Sequence, residues 1–549
     1  HFVSLSVKPN FIFMKRFLLV CFFAAAAVMT AAAQDIQFDN YFVNKTLRLD
    51  YVFCGSKTHQ TIAVDELASL PIWAGRRHNL DRLPLKGNGQ VVVADSASHK
   101  IIYETSFSSL FLEYLDTDEA AGGKERSFQN TFLVPFPKQP VEITVTIYNK
   151  SQKPIATLTH FVNPKDILIH KKGETHLLPS KYIVKGGDPE NCIDVAIVAE
   201  GYTEKEMDTF YKDAEIAAES LFEYEPFKSN KEKFNIVAVA SPSKDSGVSI
   251  PRLGEWKDTS FGSSFSTFYS DRYMTSLNVK QIHDALVGVP YEHIIVLVNT
   301  EEYGGGGIYN EYDLTAAHHP LFRPVVVHEF GHSFGGLADE YFYEHDVLTD
   351  SYDISVEPWE PNITTRVNFT GKWENLIKPN VQVPTVVEKV PVEITATEEQ
   401  LVAEAEKSAA ALHTPINSAS AGSVKRYGNS FIPKNILRVT LMGTLDKNGK
   451  LKMLKGTPEQ VKAKAGKLGL VIEQYESREK GVFVNTPAFG NNKLQHPGEL
   501  PVGMYEGGGY LFKGIYRGNY DCRMRTNQYP TFCPVCQQAI QRIIDFYTK

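Results

Sequence analysis

Two domains of different class follow one another in this sequence: an antiparallel β-sandwich over 34–166, then an α/β domain over 180–549. Three observations predict that order. Glu142–Tyr148, EITVTIY, alternates polar and apolar residues with the period of a half-buried strand. Cys192–Glu200, CIDVAIVAE, is a continuous apolar strand. From Thr203 to Tyr224 the apolar spacing turns helical, and strand then alternates with helix, the pattern of a sheet with helices on its faces.

Ahead of the first domain, residues 1–33 read as upstream residues plus a signal peptide. The segment His1–Phe13 precedes Met14, after which Lys15 and Arg16 form a positive region and Phe17–Met29 an apolar one. Ala31-Ala32-Ala33 supplies the small residues of a cleavage site, with Gln34 as the expected mature start. A retained anchor is the competing reading, but Phe17–Ala33 is at the short end of the spanning range and ends in small residues. Val20 before Cys21 is a poor fit to a lipoprotein site. The mature chain is therefore expected to be exported, with no membrane span: periplasmic, cell-surface or secreted.

Within the first domain, Thr46–Phe53, Gly89–Ala94, Lys100–Thr105 and Val141–Asn149 are the predicted strands. Gly87-Asn88-Gly89 and Asn149-Lys150-Ser151 are their turn signals. In the second domain, Thr203 caps a helix with Glu206 three residues on, a capping-box arrangement. Phe234–Ser241 and His293–Asn299 are strands, and Lys280–Val287 and Pro320–Leu337 helices. A last helix spans Cys533–Tyr547. Residues 380–500 are expected to form an inserted or elaborated subdomain, with helices Thr397–His413 and Thr457–Lys467 and a hairpin at Asp446–Gly449.

Composition narrows the function classes. Hydrophobic residues are 43% and charged residues 22% of the 549, which is ordinary globular usage. The formal charge is −7, so no basic field exists to hold a phosphate backbone, and nucleic acid is excluded as a partner. Beyond Cys21 the cysteines are Cys54, Cys192, Cys522, Cys533 and Cys536. The last three are crowded together, which in an oxidising compartment predicts a local disulfide from Cys522 to Cys533 or Cys536. A zinc knuckle is the rival, but it needs a fourth Cys or His nearby, and none follows.

The chemistry is concentrated in His328-Glu329-Phe330-Gly331-His332. On a helix, histidines four apart share one face and can grip one metal ion. Imidazole nitrogen suits zinc, and two such ligands leave room for a third residue and a water. Glu329 would act as general base on a water acidified by that ion, which would also polarise the scissile carbonyl. With 16 histidines in the chain, chance matches number on the order of 0.03 per chain. The bland alternative is a surface helix, but Val325-Val326-Val327 places the motif at the end of a buried stretch.

The run resembles the metzincin motif HExxHxxGxxH, in which the chain turns at a glycine and returns a third ligand. Counting from Gly335 that position is Ala338; counting from Gly336 it is Asp339, which is the expected ligand. Glu340 is the near alternative, then His345. Glu357 or Glu360 would serve only if a downstream helix formed around Pro358 and Pro361. The resemblance also implies a methionine in a tight turn beneath the metal, for which Met524 fits and Met442 competes. Thr526 stands where metzincins often have a tyrosine. Arg525, Tyr529 and Tyr341 are open as oxyanion donors.

HEFGHSFGGLADEY, the preceding YGGGG, EPNIT…KWENLI and CRMR…FCPVC together resemble the M64 family of bacterial metallopeptidases. The family is named for members that cleave immunoglobulin A. The resemblance implies a metzincin-like zincin catalytic domain and an endopeptidase with one catalytic Zn²⁺ on His328 and His332 and Glu329 as base; Asp339 is the expected third ligand, with Glu340 still open. Its partner would be a protein or peptide substrate, with a host glycoprotein such as immunoglobulin among those the family admits. By the same analogy Gly305, Gly306 and Gly307 would bind extended substrate by strand addition; a flexible loop is the other reading. Two further readings compete: an inactive surface binding protein that keeps the peptidase fold, and a zinc amidase or esterase acting on glycans.

Overall fold

The computed structural model describes residues 35–270, 272–343, 351–385, 438–445, 451–453, 482–487, 500–527, 529 and 531–549. The predicted signal segment, His345, the helices Thr397–His413 and Thr457–Lys467, and the turn at Asp446–Gly449 lie outside the described residues.

Eight strands build the N-terminal part: β1 (Phe42–Ser56), β2 (His59–Leu70), β3 (Gly89–Asp95), β4 (Ile101–Phe107), β5 (Arg126–Pro137), β6 (Val141–Tyr148), β7 (Pro154–Val162) and β8 (His170–Lys171). They form two four-stranded sheets of order β5-β1-β2-β8 and β4-β3-β6-β7. The alternation in β6 does what the sequence implies. Val141, Ile143, Val145 and Ile147 are buried while Glu142, Thr144, Thr146 and Tyr148 are half-buried. The buried set joins one apolar cluster with Leu47, Leu49 and Phe53 of the other sheet. Phe107 and Phe132 meet there with ring centroids 4.2 Å apart. β2 and β7 carry mostly exposed or half-buried side chains and lack the strict alternation that marks β6.

The second part holds a six-stranded sheet: β9 (Ser180–Lys185), β10 (Ile193–Glu200), β11 (Phe234–Val239), β12 (His293–Val298), β13 (Gly305–Ile308) and β14 (Tyr312–Ala316). Its order is β13-β14-β12-β10-β11-β9. The inner four strands are parallel; β9 and β13 run antiparallel at the edges. Helices α1 (Met207–Phe222), α2 (Val279–Ala285), α3 (Phe322–Ser333) and α4 (Pro534–Thr548) complete the frame. Ile193, Val195 and Ile197 of β10 share a cluster with Phe210 and Ala214 of α1 and with Val326, Val327 and Phe330 of α3. The alternate residues Ala196 and Val198 belong to the cluster of the N-terminal sheets. Both faces of β10 are therefore covered, which explains its unbroken apolar run.

Charged groups fasten the two parts. Arg48 donates to Asp50 at 2.8 Å and to Asp284 of α2 at 2.7 Å, and Lys280 bridges Asp65 and Glu66 at 2.8 and 2.7 Å. The capping box at α1 is present: the Thr203 amide donates to Glu206 Oε2 at 2.8 Å.

Short strands follow the motif helix: β15 (Phe342–Tyr343), β16 (Ile363–Thr364), β17 (Arg438–Leu445), β18 (Leu451–Met453), β19 (Val482–Pro487), β20 (Tyr505–Gly508) and β21 (Tyr510–Arg517). β15, β16 and β20 pair with β21; β17, β18 and β19 make a three-stranded sheet. In the β17–β18 pair, Gly443, Thr444 and Leu445 stand opposite Met453, Lys452 and Leu451. The motif helix ends at Ser333, short of the expected Leu337. No helix among the described residues is long and apolar enough to cross a membrane.

Candidate metal centre

α3 lies against β13 and β14 at one edge of the large sheet, and the sequence makes that approach feasible. A Cβ at Gly305 would stand 2.6 Å from Glu329 Oε1, and one at Gly307 would stand 2.4 Å from the Glu329 carbonyl oxygen. Gly305 and Gly307 therefore let the helix touch the strand. Gly306 faces Tyr273 and Met274, and Gly305 carries a parallel bridge to Tyr273 on the outer edge of β13. On the far side of α3, a Cβ at Gly331 would meet Met524 Sδ at 2.9 Å. Met524 is buried in a turn closed by the Arg525 amide on the Cys522 carbonyl at 3.0 Å.

The helix ends at a turn made by the second of two adjacent glycines. Gly336, with φ +58°, takes the left-handed conformation; Gly335 does not. The Gly336 amide donates to the His332 carbonyl at 3.0 Å and Leu337 to that of Gly331 at 3.1 Å. Asn362 holds both backbone groups of Ala338, at 2.8 and 2.9 Å. Counting from the glycine that turns, the third position is Asp339.

Three donor atoms converge there. His328 Nε2 and His332 Nε2 are 3.1 Å apart, and Asp339 Oδ1 is 3.1 Å from the first and 3.3 Å from the second. Tetrahedral ligands at zinc bond lengths of about 2.0–2.1 Å would be spaced ~3.3 Å from one another. Asp339 Oδ1 is buried and makes no hydrogen bond, so the oxygen aimed at the imidazoles is the one left for an ion. The other oxygen accepts from Tyr510 Oη at 2.6 Å. Each imidazole is oriented through Nδ1, His328 on the Arg523 carbonyl at 3.1 Å and His332 on that of Leu337 at 2.5 Å. If Nδ1 is the donor in each, both Nε2 lone pairs face Asp339.

The electrostatics agree with a cation's place. Burial opposes charge on His332, yet Asp339 draws it up to about 9. Burial likewise opposes charge on Asp339, and His332 and His328 hold it far below the carboxylate range. Glu329 is pushed up by burial, against the pull of both histidines. Its carboxylate lies within 4.8 Å of both imidazoles, and all three residues are half-buried.

The other sequence candidates are elsewhere. Glu340 turns away, to Asn362 at 3.0 Å and Cys536 at 3.1 Å. Glu357 pairs with Lys372 at 2.8 Å and Glu360 accepts from Tyr352 at 3.0 Å. Arg525 is held by Asp521 at 2.7 Å, Tyr341 stacks edge-on against Tyr510, and Tyr529 is buried. The disulfide expectation does not hold: Cys522, Cys533 and Cys536 are free thiols, and Cys522 and Cys536 sulfurs are 3.6 Å apart. Missed at the sequence level were Tyr510, the Arg523 and Leu337 carbonyls, and Tyr303, which receives Asn527 at 3.0 Å within the field of Glu329 and Asp339. Tyr273, whose hydroxyl donates to Glu113 of the N-terminal part at 2.5 Å, was also missed. Apart from the Leu337 carbonyl, five residues beyond His332, each has a partner remote in the chain and so no local sequence signal.

No curated protein matches the chain. The model of the Peptidase M64 N-terminus matches residues 37–159, so the two-part architecture is an N-terminal domain followed by a catalytic one. The IgA Peptidase M64 model matches residues 182–417 and 490–544, more than half of the sequence, and takes in both the motif helix and the Cys522–Cys536 segment. The chain thus belongs to the IgA peptidase M64 family and is a peptidase, acting on protein substrates.

Proposed function

We propose that the protein is an exported, zinc-dependent endopeptidase in which Glu329 is the general base. The carrying observation is the triangle of His328 Nε2, His332 Nε2 and Asp339 Oδ1, with edges of 3.1, 3.1 and 3.3 Å. These three would hold the ion. When bound, zinc would acidify a water and polarise the scissile carbonyl. Glu329, beside both histidines, would take the proton of the attacking water and pass it to the leaving amine. Met524 would be the turn methionine, supporting α3 through Gly331. On this reading the catalytic domain over 180–549 is metzincin-like and the two N-terminal sheets are a β-sandwich over 34–166. Gly305–Gly307 would present backbone to extended substrate alongside Tyr273. Export rests on the pattern of residues 14–33.

The test is hydrolysis of a denatured protein mixture by the purified chain, with metal content measured in parallel. Glu329→Gln should keep its metal and lose turnover by ~10²–10⁴-fold. Undiminished turnover would remove Glu329 from the role. Metal at the site with no cleavage of any protein would favour the binding-protein reading.

A further inference from the structure

We propose a second metal site, structural and closed, formed by Glu340, Cys522, Cys533 and Cys536, that takes a divalent ion of zinc's chemistry. The four donor atoms lie within 4.8 Å of one another, and all four residues are buried. Cys522 and Cys536 sulfurs are 3.6 Å apart, and Cys536 Sγ is 3.1 Å from Glu340 Oε1. Around a tetrahedral zinc, with sulfur at about 2.3 Å and carboxylate oxygen at about 2.0–2.2 Å, those edges would be ~3.8 and ~3.5 Å. Small shifts on binding close the difference.

Three further observations point the same way. Glu340 Oε2 is buried without a hydrogen-bond partner, while Oε1 is taken by Asn362 and Cys536. A fully buried acid whose second oxygen makes no hydrogen bond lacks a partner that a bound cation would supply. Beside it is the buried Arg517, whose guanidinium is bonded to the carbonyls of Glu506, Gly507 and Tyr520 and whose charge acts on Glu340. A positive group placed there suits an anionic thiolate–metal cluster. The Cys533 amide also donates to Cys522 Sγ at 3.1 Å, a bond that favours a thiolate.

The site would act as a clamp. Its Cys522 opens the turn whose Arg523 carbonyl orients His328 and whose Met524 carbonyl accepts the Glu340 amide at 2.8 Å. One ion would thereby tie the loop bearing Asp339 to the turn beneath α3 and to the start of α4. Binding releases the proton of each thiol.

The experiment uses the full chain, with the His328→Ala/His332→Ala variant keeping the cysteine cluster intact. Wild type should hold two zinc equivalents and the double-histidine variant one. Loaded with cobalt(II) alone, that variant should show thiolate-to-cobalt charge-transfer absorption. Cys522→Ser/Cys536→Ser should lower the wild-type count by one; if it does not fold, the double-histidine variant decides by itself. Thiol titration after denaturation in chelator should find all of Cys54, Cys192, Cys522, Cys533 and Cys536. A double-histidine variant that binds no metal overturns the proposal, whether two thiols are then missing (a disulfide) or all titrate (a bare thiol cluster). Failure of the peptidase reading would instead appear as absent turnover with the cobalt–thiolate band intact.

Discussion

Asp339 and Glu340 are neighbours in the chain and serve two unlike clusters. Asp339 joins two imidazoles on a helix where His328, Glu329 and His332 are half-buried. Glu340 joins three sulfurs, and nothing in that group reaches solvent. A centre that must admit substrate keeps an open side, whereas one that only holds chain segments together can be closed all round. Nitrogen and oxygen donors line the open centre; sulfur dominates the closed one. The two proposed roles would thus be separated by one peptide bond on a shared backbone.

Exchanging the two acids should produce the largest contrast. Asp339→Ala removes a proposed ligand, so metal occupancy should fall at the open centre and kcat/KM should drop by more than ~10²-fold, beyond what losing an outer partner costs. Glu340→Ala should act mainly on stability, by about 2 kcal/mol for a broken buried network, with turnover per folded molecule falling less than tenfold. Metal analysis, steady-state rates and thermal unfolding on the two variants check this. Equal losses of turnover with unchanged melting would erase the distinction between the clusters.

A smaller effect should come from Tyr510→Phe. Its hydroxyl donates to Asp339 Oδ2 at 2.6 Å, and losing such an outer partner should weaken metal binding ~10–100-fold in a chelator competition. The closed cluster should be unmoved, which sharpens the comparison.

The least change is expected at the fastening between the two parts, far from either cluster. Burial alone would raise Glu66, but Lys280 and Lys172 bond its carboxylate and hold it at about 2, from an ordinary 4.5. A folded-state value below the unfolded one contributes stability above the ordinary value, and that stability is lost as pH falls toward about 2. Glu66→Gln should therefore cost about 1 kcal/mol near neutrality, and the gap from wild type should close between about pH 4.5 and 2. Unfolding curves at several pH values would show a constant gap if the bridge were idle.

The open centre was legible because its residues are local: the four-residue helical spacing needs no tertiary knowledge. Which of two glycines turned the chain was not, since only Gly336 adopts φ +58° and adjacent glycines look alike in sequence. β6 was legible by its strict alternation; β2 and β7 hold apolar residues too, but without that alternation and with side chains mostly exposed or half-buried. The closed cluster was illegible because its carboxylate comes from beside the motif helix and its sulfurs from beyond residue 500. A search for a fourth ligand near the cysteines could not find Glu340.

Timing during synthesis follows from the Arg523 carbonyl on His328 and the Tyr510 hydroxyl on Asp339. Both supports are translated well after the histidines and their neighbouring acids. A ribosome-bound chain that has just exposed the motif helix lacks the groups that orient its imidazole and carboxylate. If His328 and Asp339 hold the proposed ion, the centre would be fully oriented only once the segment around Tyr510–Cys536 has been made and has docked.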